Sequence, residues 1–158
     1  MADDGRTDPS RPRVRAQPPP KLMLRVVNPF VRAIAGSRLG RRMRWGVLSF
    51  AGRRTGTEYT IPVGVHDVDG VVTVFTAERW RLNFRDGAAV TVIQGGQPRR
   101  GHGQLVEESA QVGAALAVAL RSAKPRDLGL AVDKGHTPTT ADLASIGESM
   151  IRIRVNGP

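Results

Sequence analysis

The sequence predicts a mainly β (α+β) domain, a small antiparallel barrel with one or two peripheral helices, and three observations predict it. Short runs of β-prone apolar residues recur between Trp45 and Val106. Turn signals, Asp69-Gly70 and Gly95-Gly96 among them, separate the runs. Too few residues lie between consecutive runs to hold the crossover helices that a parallel sheet requires.

Taken in order, residues 1–20 read as a disordered Arg/Pro-rich tail. Five prolines, four arginines and almost no large apolar side chains cannot bury enough surface to offset the entropy of ordering. The domain is expected to span residues 21–158. Leu22, Val26, Phe30 and Ile34 recur at helical spacing with Arg25 and Arg32 between them, which predicts a basic amphipathic helix interrupted at Asn28-Pro29. Residues 22–35 could lie on the barrel as a lid or make peripheral contact with a membrane surface. Strands are predicted at Trp45–Phe50, Tyr59–Val65, Val71–Thr76, Ala88–Ile93 and Gly101–Val106. Pro62 cannot donate to a ladder, so its strand belongs at an edge or carries a bulge. Val112, Leu116 and Leu120 predict a helix over residues 109–124 with Ser109 as N-cap, and residues 142–146 predict a shorter one. Ile151, Ile153 and Val155 alternate with Arg152 and Arg154, a last strand with one wet face.

The chain has no cysteine, which excludes disulfides, thiolate catalysis and Cys-ligated metal sites. No run approaches the ~18 apolar residues of a membrane span, and no apolar run follows the first residues, so the sequence reads as cytoplasmic. The net charge of +10 is unevenly placed: residues 21–60 carry nine Lys/Arg against Glu58 alone. Such a field attracts an anionic partner, whether nucleic acid, membrane surface or phosphorylated cofactor. Nucleic acid is the least expected of these, because aromatic residues are only 4% of the chain and are not interleaved with the charges for base stacking. His66, His102 and His136 lack metal-binding spacing, and no metal is expected. His66 should be solvated beside its hairpin, whereas His102 lies on a strand that could face a pocket and is a candidate proton donor.

The densest chemistry is Gly52-Arg53-Arg54-Thr55-Gly56-Thr57, between two strands. Flanking glycines permit a tight turn, successive N–H groups can cradle an anion, and two arginines bind phosphate with charge-assisted bonds. Thr55 and Thr57 add hydroxyls. A solvated basic turn has the same composition, so the loop needs context.

That context is the order Asn28-Pro29, Gly52-Arg53-Arg54-Thr55-Gly56, Pro62, Asp69-Gly70 and Trp80-Arg81-Leu82-Asn83. In this order, over about residues 22–107, the chain resembles the deazaflavin-dependent nitroreductases, part of the split β-barrel flavin and deazaflavin oxidoreductases. The resemblance implies a split β-barrel, a homodimer with its cofactor groove at the subunit interface, and coenzyme F420 as cofactor. Relatives bind FMN, FAD or heme instead. It implies that Arg53, Arg54, Thr55 and Gly56 hold the phosphate and acidic tail, and that Pro62, Val63 and Gly64 line the deazaflavin ring. Trp80 and Asn83 would close the phosphate side or brace the loop. Thr76, Thr57 and Arg79 complete the expected set, with Arg79 in place of a lysine that the family carries on a longer loop. The implied reaction is hydride transfer to an electron-poor small molecule such as a quinone, an enone or a nitroaromatic, or cofactor binding without turnover. Tyrosines that the family places near the substrate in its C-terminal part have no counterpart, since Tyr59 is the chain's one tyrosine.

Overall fold

The computed structural model describes residues 11–17 and 44–157. The predicted basic helix of residues 22–35 therefore lies outside the described residues. Those described form a mostly antiparallel β structure with few helices, in which the main sheet curls into a half-barrel consistent with a split β-barrel. In chain order the elements are β1 (Val14–Ala16), β2 (Trp45–Ala51), β3 (Glu58–Gly64), β4 (His66–Val68), β5 (Val71–Thr76), a 3-10 turn over Arg79–Phe84, β6 (Ala88–Gln94) and β7 (Gln97–Val106). They continue with α1 (Ser109–Ala119), a second 3-10 turn over Pro125–Leu128, β8 (Leu130–Val132), α2 (Thr140–Ala144) and β9 (Ser149–Val155).

Seven strands share one sheet in the order β3-β2-β6-β7-β9-β5-β4, and every pairing is antiparallel. Its two edge strands, β3 and β4, are joined in sequence by Val65 alone. A sheet whose opposite edges are one residue apart has to curl back on itself. Pro62 sits on edge strand β3, where a missing N–H costs least. At the β4–β5 hairpin Asp69 and Gly70 have φ of 52° and 80°, the left-handed pair that matches strand twist, and Asp67 Oδ1 accepts the Gly70 N–H at 2.9 Å.

Alternation along the strands sends Leu48, Phe50, Ile61, Val63, Val74, Val92, Ile151 and Ile153 into the barrel interior, with the fully buried Phe84 closing one side. A second core lies outside the sheet, where Val112, Leu116, Leu143 and Met150 meet between α1, α2 and β9. Arg152 and Arg154 point to solvent, as their alternation predicts. α1 is shorter than the predicted span, and Glu108 rather than Ser109 is its N-cap. Past Ala119 the chain tightens, with the Arg121 and Ser122 amides bonding three residues back.

Two further expectations are corrected. Residues 14–16 are not part of a disordered tail: they form β1, which pairs with β8, and Val14 is only 3% exposed in the second core. The pairing supplies both hydrogen bonds and a buried valine, which composition alone undervalued. His66 is not solvated. Its residue is 4% exposed, its ring lies 5.8 Å from that of Phe75, and its Nδ1 has no hydrogen-bond partner. Burial, and secondarily the Arg44 charge, lower its pKa from 6.5 to about 4, against the opposing charge of Asp127.

Candidate functional site

The β2–β3 hairpin closes over Gly52–Thr57. The Gly52 N–H donates to Thr57 O at 2.7 Å and the Gly56 N–H to Gly52 O at 2.9 Å, with Gly56 at φ +69°. Gly52 is fixed by contact rather than by dihedral angle, because a Cβ there would stand 2.6 Å from the Tyr59 ring. The Arg53 N–H donates to Asn83 Oδ1 at 2.8 Å, and the Thr57 N–H to Thr55 Oγ1 at 3.3 Å. Among the described residues this leaves only the Arg54 and Thr55 amides of the loop without an acceptor. The loop therefore offers two adjacent N–H groups to a ligand, not a run of six.

The 79–84 turn supplies the facing elements. Arg81 donates to Ala77 O at 2.8 Å and to Glu78 O at 3.1 Å, closing the first residues of the turn. Asn83 donates its Nδ2 to Trp80 O at 2.8 Å while accepting from Arg53, so one side chain ties the turn to the loop. Trp80 packs on Phe50 at 5.9 Å and edge-on to Phe84 at 6.2 Å. Replacing Asn83 by alanine removes a double tie and leaves the Arg53 amide without its partner. It is expected to destabilise the domain by about 1–2 kcal/mol and to speed hydrogen exchange at that amide. Unchanged exchange there would show that the tie does not hold the loop.

Loop and turn together line a cavity of about 300 Å³. Of the sequence-predicted residues it gathers Arg53, Arg54, Thr55, Arg79 and Asn83. Gly52, Tyr59 and Leu82 line it as well and were not predicted. The available signal for Tyr59 was its register opposite Phe50 across the hairpin, which turns both rings to one face. Arg53 already pairs with Asp86 at 3.1 Å, through side chains 45% and 79% exposed, a contact worth little in stability. Arg54 and Arg79 have no carboxylate partner among the described residues. Two unneutralised guanidinium groups, the two amides left without an acceptor and the Thr55 hydroxyl, which pairs with that of Thr57 at 2.8 Å, form a donor set suited to a phosphate.

The other predicted residues lie elsewhere. Gly56 and Thr57 shape the loop without lining the cavity. Pro62, Val63 and Gly64 lie further along β3, with the Val63 side chain in the barrel core. Thr76 is buried and accepts the Glu78 N–H at 3.0 Å, so it starts the turn. Trp80 packs against the core and does not line the cavity. His102, the candidate proton donor, is exposed on β7 against Gly87 and does not line the cavity. Strand alternation sends it outward, because Gly101 and Gly103 take the inward positions.

No protein-family model matches the chain. No curated protein matches it. Among solved structures it is similar to a conserved hypothetical protein from Mycobacterium tuberculosis, at 13% identity over 89% of this chain and 87% of that one, with a TM-score of 0.49. It is also similar to an F420 reductase, at 18% identity over 75% and 91% of the two chains, with a TM-score of 0.42. A candidate 5-nitroimidazole antibiotic resistance protein from Bacteroides thetaiotaomicron aligns at 9% identity over 72% and 74%, with a TM-score of 0.43. Likenesses at this level carry no argument about the reaction.

Proposed function

We propose that this chain is an F420-dependent oxidoreductase that passes a hydride to an electron-poor small molecule, a quinone, an enone or a nitroaromatic. One observation carries the reading: the arginine loop and the turn of the Trp80-to-Asn83 motif, 30 positions apart at the Arg53–Asn83 bond, converge on one cavity whose free donors suit a phosphate. Their order in the sequence is the one on which the family resemblance rests.

The residues present fit the phosphate end of such a cofactor. Arg54, Arg79 and the Arg54 and Thr55 amides would hold it, while Asn83 and Asp86 fix Arg53 and the loop behind it. Pro62 and Gly64, half-buried on the same strand, would lie along the ring, as the resemblance implies. When bound, the reduced cofactor supplies the hydride. The protein's part is to bind, to orient and to fix the electrostatics, for which no strong acid or base is needed. The homodimer expected from the resemblance belongs to the same proposal and is checked by sedimentation of the full chain.

Titration with F420, FMN, FAD and heme, followed by Trp fluorescence, tests it. Trp80 lies in the turn between the cavity-lining Arg79 and Leu82 and should report binding. Arg54→Ala is expected to weaken F420 binding by about 10- to 100-fold, the loss of one or two charge-assisted bonds. Indifference to Arg54, or preference for FMN, FAD or heme, would remove F420 from the reading. Binding without reduction of any quinone, enone or nitroaromatic would make the protein a cofactor carrier.

A further inference from the structure

The polar groups of the cavity account for an anion but not for the rest of its wall. Tyr59 and Leu82 also line it, and neither offers a charge. Tyr59 is held on two sides. Its ring stacks on Phe50, with centroids 5.8 Å apart and planes inclined by 29°, and Gly52 lies against the ring where any Cβ would stand 2.6 Å away. The ring is therefore a rigid, half-exposed plate. Such a plate next to the phosphate donors is of no use to an inorganic anion, which would leave it wetted. A carbon chain attached to the phosphate would cover it and release that water. A cavity of about 300 Å³ is at the lower end of the size that takes an organic ligand.

We propose that Tyr59 is a specificity-determining residue, which with Leu82 forms a shelf for the uncharged carbon chain of a phosphoester and selects it over inorganic phosphate. The inference rests on the cavity being the phosphate site of the proposed function. It adds a residue outside the arginine loop, and the part of the phosphoester that this residue recognises, the uncharged arm next to the phosphorus.

Calorimetric titrations of the full chain with inorganic pyrophosphate and with F420 test it, using wild type, Tyr59→Phe, Tyr59→Ala and Arg54→Ala. Tyr59→Ala is expected to weaken F420 at least tenfold while changing pyrophosphate by less than threefold. Tyr59→Phe, which keeps the ring, should bind both within threefold of wild type. Equal losses of both ligands in Tyr59→Ala would make the ring a support of the loop only and overturn the inference, as would no loss of either. A loss in Tyr59→Phe as large as in Tyr59→Ala would overturn the shelf in favour of the hydroxyl. Failure of the underlying phosphate site looks different: pyrophosphate then does not bind wild type, or binds Arg54→Ala equally well.

Discussion

Phe84→Ala is expected to destabilise the domain by about 3–5 kcal/mol and to abolish most anion binding at the same time. Phe84 is fully buried, packs edge-on to Phe50 at 4.9 Å, and ends the turn that carries Arg79 and Asn83. Gly103 on β7 leaves the space for it, since a Cβ there would stand 2.7 Å from its ring. Truncation opens a cavity under the turn, and the surrounding strands, paired on both sides, cannot collapse to fill it. The turn then loses its anchor and Arg53 loses the tie through Asn83. Urea unfolding and pyrophosphate titration read the two effects. A loss below about 1 kcal/mol would mean that the turn is held by its backbone bonds alone. Full stability loss with unchanged binding would separate the core from the site.

The second large effect is a pair of opposed pH dependences. The neutral His66 imidazole, with its pKa lowered from 6.5 to about 4, contributes stability that is complete above pH 6.5 and is lost as the pH falls toward 4. Glu148 behaves in the opposite sense. Burial pushes its pKa from 4.5 up to about 7, with the Arg81 charge opposing. The folded state keeps a proton that the unfolded chain releases, so this contribution is complete below pH 4.5 and is lost as the pH rises through 7. Each is worth about 2 kcal/mol once residual solvent exposure is discounted from the shift.

Between pH 4.5 and 6.5 the two slopes nearly cancel in the wild type. Glu148→Gln should unmask a stability that rises with pH over that range, and should stabilise the protein at pH 8 relative to wild type. His66→Gln should unmask a stability that falls from pH 4.5 toward 7. Urea unfolding of the three proteins at half-unit intervals measures this. Parallel profiles in all three would show that neither group is held neutral by the fold.

Much of the architecture was legible in the sequence, because its signals are local. Strand alternation in Ile151-Arg152-Ile153-Arg154-Val155, the Asp69-Gly70 hairpin and the breaker at Pro62 each depend on a handful of neighbouring residues. The arginine loop was legible for the same reason, as glycines and donors packed into six positions. β1 was not, since a three-residue strand in a proline-rich context acquires its structure only from β8, whose residues lie more than a hundred positions away. His66 was read as solvated from its place beside a hairpin, but a short edge strand turns its ring onto Phe75.

Within the site the division is the same. The sequence by itself determined which residues could bind an anion. Only the tertiary structure decided that Arg53 is engaged by Asn83 and Asp86 while Arg54 and Arg79 keep no carboxylate partner among the described residues, and that Tyr59 joins them. The physical reason is that backbone conformation is governed by neighbours in sequence, whereas desolvation, hydrogen-bond partners and cavity walls are governed by neighbours in space, and a curled sheet chooses those from opposite ends of the chain.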